Sequence, residues 1–422
     1  MDYVDRRSFV KAGATAGTIG LAGCLGGGGS NSEDFKIGLC TPLSGPFASL
    51  GKREVRAIEM AVEEINSDDD SLNIDFKASD DEGTPDTSVK RAREFVEQDN
   101  VDLLLQGASS SVLLALSEFA ATVDTPLIGV SATMRPIRDQ CRKQVFRPSL
   151  NIQDEAHACA KAVIERYGDD IDTIAGVNPD YTFGHEVWEM SKQYYQDEIG
   201  AEVVSETFPQ FGKGNYQNEI QSTMNADPDL VVSGLWAGDL ITFMRQGKEV
   251  GFFESLEVEG DDPLFTAPTG ANMDVAQALG DGLPKYIGVE YYYQEYPQTD
   301  LNKEFARNYY EKYDNIPVGG AALVYGWIYA AKKAVEQAGG KSTDDIISGL
   351  EGLSYEWPGG EMNIRPEDHE GVEDEILVGR FGDVGEPWPE GTPELDHYGY
   401  KDIWTVPGEE VAPEITCDLT SE

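Results

Sequence analysis

From residue 35 onward the chain repeats one pattern: a short apolar run, a turn, and an amphipathic stretch of helical period. FKIGLC (35–40), NIDFKAS (73–79), VDLLLQG (101–107) and PLIGVSA (126–132) form a first series of strand-like runs. DTIAGVN (172–178), EVVSETF (202–208), DLVVSGLW (229–236), PLFTAPT (263–269) and YIGVEYYY (286–293) form a second. Several are apolar on successive residues, as in strands covered on both faces of a parallel sheet. Between them, EVRAIEMAVEEIN (54–66) sets Val55, Ile58, Val62 and Ile65 on one stripe with acids opposite. SVKRAREFVEQ (88–98) and GHEVWEMSKQYYQDE (184–198) behave similarly. This alternation predicts an α/β fold of two doubly wound parallel-sheet lobes, separated near VFRPSLN (145–151). After Tyr293 the helical NKEFARNYYEKY (302–313) and GGAALVYGWIYAAKKAVEQAG (319–339) predict a return to the first lobe. The expected division is 35–148 with 296–358 for lobe 1, and 149–295 with 359–420 for lobe 2.

Charge narrows the class of partner. Asp and Glu number 77 against 32 Lys and Arg, a formal net charge of -45. Such a surface repels nucleic acid and anionic lipid, so neither is an expected partner. The acids are spread along the chain, as in DDDS (68–71), DDEG (80–83) and GVEDE (371–375), which reads as an adaptation to high salt, where self-repulsion is screened.

The first residues read as an address. Arg6 and Arg7 in DRRSFVK (5–11) resemble the twin-arginine export signal. AGATAGTIGLAG (12–23) is too short and glycine-rich to span a bilayer, and Cys24 in LAGC (21–24) resembles a lipidation site. Residues 1–24 are thus expected to be a lipoprotein signal and 25–34, with GGGGSNS (26–32), a flexible tether. A stable anchor needs two lipid signals. The expected location is the outer face of the cell membrane, touched only through the lipid anchor. Of the remaining cysteines, Cys40 lies in an apolar strand and reads as a buried thiol. Cys141, Cys159 and Cys417 have no framework spacing; a Cys141–Cys417 bridge is permitted but not specified.

The usual catalytic motifs are missing. There is no G-x-S-x-G, no H-E-x-x-H and no Walker loop, and His157, His185, His369 and His397 are scattered without metal-ligand spacing. No metal and no cofactor is expected. What recurs is a polar or aromatic residue at the C-terminal end of a strand, the edge where open α/β sheets bind ligands. Ser109–Ser111 follow VDLLLQG, Ser131-Ala132-Thr133 follow PLIGV, Asp180-Tyr181 follow TIAGVN, and Trp236 ends LVVSGLW. Singly each reads as a helix cap; together they read as a binding cleft with hydroxyl anchors and an aromatic wall.

In this order and spacing the chain resembles the extracellular solute-binding proteins of branched-chain amino-acid-type ABC transporters, with the type I periplasmic-binding-protein fold. The resemblance runs over residues 35–381 through IGLCTPLSGPFASLG (37–51), AIEMAVEEIN (57–66), VDLLLQGASSS (101–111), PLIGVSAT (126–133), NPDYTFGHEVW (178–188) and PGGEMNIRPEDHEGVEDEILVGRF (358–381). It implies a non-enzymatic, monomeric binder of a small carboxylate-bearing solute, partnered by permease and ATPase subunits. Ser109, with Ser110, would hold the ligand carboxylate. Ser131 and Thr133 would serve carboxylate and ammonium, Tyr181 or Phe183 and Trp236 would close from the second lobe, and Leu50 would help line the pocket. Lobe closure would turn about 146–151, 293–297 and 358–361. Where amino-acid binders of this family carry an acid, this chain has Thr269; Asp239 or Asp180 would substitute, or the ligand is an amide, a urea or a non-amino carboxylic acid. A ligand-sensing receptor domain and a lipid-anchored hydrolase with Ser109 or Ser110 as nucleophile are the alternatives. No membrane span or signalling domain follows to favour the first, and no strand-end histidine favours the second.

Overall fold

The computed structural model describes residues 34–45, 47–68, 72–130, 140–258, 262–271, 273–385, 388 and 398–421. Arg6, Arg7 and Cys24, and likewise Ser131 and Thr133, lie outside the described residues. Strand β1 (Phe35–Thr41) is buried at every position except Lys36, as its run of apolar residues requires. It pairs in parallel with β2 (Ile74–Asp80) and β3 (Leu103–Gln106). With β4 (Leu127–Gly129) and β5 (Val145–Phe146) they form a five-stranded sheet in the order β2-β1-β3-β4-β5. The connections are helices α1 (Ala48–Asn66), α2 (Pro85–Glu94) and α3 (Ser110–Val123).

The second sheet contains β6 (Thr173–Val177), β7 (Glu202–Thr207) and β8 (Leu230–Ser233). Beyond a short hairpin of β9 (Glu257–Val258) and β10 (Asp262–Pro263) come β11 (Phe265–Ala267) and β12 (Tyr286–Val289). Helices α4 (Ile152–Tyr167), α5 (Thr182–Ile199), α6 (Gln217–Ala226), α7 (Ala237–Glu249) and α8 (Met273–Leu279) connect them. The chain then forms α9 (Asp300–Tyr313), α10 (Gly319–Ala338) and α11 (Thr343–Leu350). A small antiparallel sheet of β13 (Ser354–Trp357), β14 (Gly360–Ile364) and β15 (Gly371–Glu373) follows. Finally β16 (Glu375–Asp383) and β17 (Tyr398–Pro407) join the second sheet, whose order is β17-β16-β12-β11-β8-β6-β7. The α/β fold with parallel-sheet cores is as expected, but the second sheet closes on an antiparallel pair.

Each sheet is covered on both faces. One core joins β1 and β3 to α1, α9 and α10 through Ile58, Ala61, Phe305, Tyr309, Ala322 and Ile328, so the chain does return to its first sheet. Trp327 is fully buried there, and its indole N–H donates to the Pro148 carbonyl at 3.0 Å. The other face buries Phe95, Leu104, Leu113 and Phe119. Two further cores cover the second sheet. Met362 and Ile364 still pack in the first core, so the last passage to the second sheet follows residue 364, later than the 358–361 read from sequence. At that crossing the Arg147 N–H donates to the His369 carbonyl at 2.9 Å, and Gly371 donates back to Arg147 at 3.0 Å. Arg147 and Glu370 make a buried ion pair beside them. Cys141 and Cys417 form a disulfide with their Cα atoms 5.7 Å apart, whereas Cys40 and Cys159 are buried free thiols.

Candidate functional site

Parallel strands bring the residues that follow them to one edge, and the two such edges of this chain meet. The turn after β3 is held from below by Gln106, which is fully buried and donates through Nε2 to the carbonyls of Gly107 (2.6 Å) and Ser109 (2.9 Å). Ala108 adopts φ 65°, a left-handed conformation that a non-glycine residue holds only at a cost of order 1 kcal/mol. Ser109 then occupies the N-cap of α3, yet its side chain makes no cap hydrogen bond; its hydroxyl lies 3.2 Å from that of Ser111. The plain capping role that its position suggests is therefore not the one it plays. Ser110 begins α3 beside it.

On the other lobe Tyr181 and Trp236 stand at the N-caps of α5 and α7, again without side-chain caps. The Trp236 indole N–H donates to the Tyr181 hydroxyl at 2.7 Å. Burial pushes the Tyr181 hydroxyl up to about 12, so it stays protonated at neutral pH. Phe183 stacks on Tyr181 at 5.7 Å and meets Trp236 edge-on at 6.5 Å. Two rings not singled out in the sequence complete the group: Phe211 stacks on Trp236 at 5.4 Å, and Phe47, from the loop after β1, stacks on it at 5.7 Å. Phe47 belongs to the first lobe and Trp236 to the second, so this stack bridges them. A second bridge pairs Arg53 of α1 with Asp274 of α8 through two hydrogen bonds of 3.0 and 2.8 Å. Leu50 lies half-buried in the first turn of α1, between Phe47 and Arg53 in sequence.

The structure brings Ser109, Ser110, Tyr181, Phe183 and Trp236 to these facing edges. The two proposed substitute acids are otherwise engaged. Asp239 is buried and accepts the Gly212 N–H at 2.7 Å, which holds the loop carrying Phe211. Asp180 is exposed and pairs with His185 at 3.0 Å. Thr269 lies in the turn two residues past β11, with its hydroxyl oxygen buried and unpartnered. Next to it, the Val289 N–H donates to the Pro268 carbonyl at 3.1 Å, which places Glu290, just past β12, beside Thr269. Across the sheet edge, Glu54 of α1 is buried and accepts from the Thr41 hydroxyl at 2.5 Å. Burial is the main cause raising both carboxyls, Glu54 to about 7 and Glu290 to about 8. Among the described residues no group of His, Cys, Asp and Glu is arranged to hold a metal, and no helix is long and apolar enough to cross a membrane.

The chain is 25% identical over 377 residues to a Leu/Ile/Val-binding protein homolog of Brucella melitensis, covering 86% of this chain and 87% of that protein. Its fold matches the amino acid ABC transporter substrate-binding protein of Pseudomonas fluorescens Pf-5 with a TM-score of 0.78 at 21% identity, covering 92% of this chain and 99% of that one. It also matches a solute-binding protein of an ABC transporter from Rhodopseudomonas palustris BisB5, solved with 3,4-dihydroxy benzoic acid. There the TM-score is 0.73 at 22% identity, over 89% of this chain and 98% of that one. A family model described as periplasmic binding protein spans residues 34–381, the whole first sheet and the second apart from β17 and the end of β16, and the chain belongs to that family.

Proposed function

We propose that this chain captures a small carboxylate-bearing solute between its lobes and delivers it to the permease and ATPase of an ABC importer. The observation that carries this reading is the uncapped Ser109 turn on one lobe facing the Tyr181–Trp236 pair on the other, with Phe47 and Arg53 linking them. The solute carboxylate takes the Ser109 hydroxyl and the N-terminal end of α3, where helix N–H groups favour an anion. Closure adds Tyr181, Phe183 and Trp236 and removes water. Residues 131–133 complete the first-lobe side, and Leu50 the wall. No covalent step is required, which is also why neither serine needs a base.

Arg6 and Arg7 direct export, Cys24 carries the lipid, and the -45 charge keeps the surface hydrated in concentrated salt. A branched-chain or related amino acid fits this frame. An aromatic acid is the second reading, favoured by the five rings at the cleft: Phe47, Tyr181, Phe183, Phe211 and Trp236. Denaturing the purified chain and identifying released small molecules by mass spectrometry tests both, followed by calorimetry on Ser109→Ala. The variant is expected to weaken binding roughly tenfold or more. Unchanged affinity removes Ser109 from the site, and turnover of ester or amide substrates refutes a pure binder.

A further inference from the structure

We propose that the C-terminal tail, residues 408–421, straps the two lobes together across their hinge and, through the Cys141–Cys417 bond, limits how far they open. This rests on the closure proposed above, but not on which solute is bound. The backbone passes between the two sheets three times, after β5, after β12 and after residue 364. The tail adds a fourth connection, and it lies beyond the residues that the family model spans.

The first part of the tail belongs to the second lobe. Val411 packs in a core of the second sheet, and the Gly408 N–H donates to the Asp374 carbonyl at 3.2 Å. Glu410 pairs with Lys161 of α4 at 3.1 Å, and Gln153, near the start of that helix, donates to the Val411 carbonyl at 3.4 Å. The tail then runs over the turn of the last passage. There Arg365, held by Asp368 through bonds of 3.0 and 2.6 Å, donates to the Pro413 carbonyl at 2.8 Å. The Leu419 N–H donates to the Glu367 carbonyl at 2.8 Å. Cys417 is buried between these two contacts, but its partner belongs to the first lobe. Cys141 lies in the connection from β4 to β5, which is tied to α3 on either side of it. Gln140 accepts from the Ser117 hydroxyl at 3.0 Å, and Gln144 donates to Asp124 at 2.9 Å.

Hydrogen bonds of this kind contribute about 1 kcal/mol each and can be exchanged for water as the lobes rotate. The covalent bond cannot. It holds two points, one anchored on each lobe, with their Cα atoms 5.7 Å apart. It sits at the crossing where Arg147 and Gly371 make their backbone hydrogen bonds. Rotation beyond a limited angle has to pull Val411 from its core or part residues 140–144 from α3. The open form is thereby kept close to the closed one, and less conformational freedom is lost when a solute is captured. Among the described residues this is the only disulfide, and Cys141 is exposed while Cys40 and Cys159 are buried thiols. A reductant added to the folded chain therefore acts on this bond.

The test uses the full chain in high salt, dialysed free of bound solute. It is compared before and after a phosphine converts the bond to two thiols and is itself oxidised. Small-angle scattering is read beside backbone hydrogen exchange, at times short enough that the amides of β1, β3 and β8 stay protected in the oxidised chain. Reduction is expected to enlarge the radius of gyration and to speed exchange of the Arg147 and Gly371 amides on the order of tenfold. Cys417→Ser is expected to show both changes without reductant and no further change with it. An unchanged scattering profile, or crossing amides that keep their rates, overturns the inference. So does exchange that quickens as much in the strands as at the crossing, because the bond then serves overall stability alone. The reduced wild-type chain decides if Cys417→Ser does not fold. None of these outcomes touches the capture of a solute, which the identification of released small molecules tests separately.

Discussion

Replacing Glu54 by glutamine isolates the energetic consequence of a carboxyl placed under the Ser109 turn. Glu54 is 4% exposed, and burial raises its carboxyl from the ordinary 4.5 to about 7. In the unfolded chain the same group ionises near 4.5. Below that value both states hold the proton and the burial of a neutral carboxyl is nearly free of electrostatic cost. Between 4.5 and 7 only the unfolded chain releases it, so stability falls as pH rises, by about 1.4 kcal/mol per pH unit. The loss amounts to about 3 kcal/mol once pH passes 7. General self-repulsion of a chain with net charge -45 acts in the same direction, so the informative quantity is the difference between wild type and variant. Glutamine keeps the shape and can still accept from the Thr41 hydroxyl. Urea unfolding of the ligand-free protein at fixed high salt, stepped through this pH range, should therefore show Glu54→Gln gaining about 3 kcal/mol on the wild type from acid to neutral pH. Parallel stability curves for the two proteins would refute the reasoning, because a carboxyl that costs nothing to ionise is not the buried group described above.

Other perturbations reach the lobe contacts and the covalent bridge. Phe47→Ala removes the ring that stacks on Trp236, a contact worth about 1 kcal/mol; small-angle scattering should show a larger radius of gyration, and an unchanged profile would deny the stack any part in closure. A double-mutant cycle on Arg53→Ala and Asp274→Ala should give a coupling near 1 kcal/mol, weakened by salt, because Asp274 is 46% exposed although the contact is two-pronged. Additive effects would mean that the pair makes no net contribution. Cys417→Ser opens a loop whose ends are 276 residues apart, for which chain entropy sets an upper limit of about 6 kcal/mol and experience about 2–4. A denaturation midpoint equal to that of the wild type would show that the unfolded chain is not restrained by the bridge.

The architecture was readable because β1, β3, β8 and their neighbours are apolar on successive residues, a signal strong enough to locate each parallel strand within a few positions. The small antiparallel sheet was not, since β13–β15 are short and their alternating patterns are too brief to stand out from the surrounding loops. The site divides in the same way. Ser109, Tyr181 and Trp236 follow strands whose ends are clear, and each stands at the edge where it was expected. Glu290 obeys the same rule but was hidden, because YIGVEYYY reads as one long strand whereas β12 stops at Val289. Phe47 was passed over for Leu50, three residues along, since only the arrangement of the loop before α1 reveals which apolar side chain reaches Trp236. Phe211 sits in a glycine-rich loop held by Asp239, and no periodicity announces a contact made through a backbone N–H. The disulfide was equally invisible in the spacing of the cysteines.

That bridge has a bearing on the order in which the molecule matures. Four cysteines follow residue 24, and four thiols admit three ways of pairing completely. Cys40 is sealed beneath α2 and Cys159 inside α4, in two different cores, so neither meets another thiol once those cores exist. Only Cys141 and Cys417 remain within reach of each other. A chain that folds before it meets an oxidant therefore has a single outcome open to it, without help from an isomerase, while one oxidised as it emerges unfolded faces the full choice. The fold itself acts as the proofreader of its own redox chemistry, provided that it comes first.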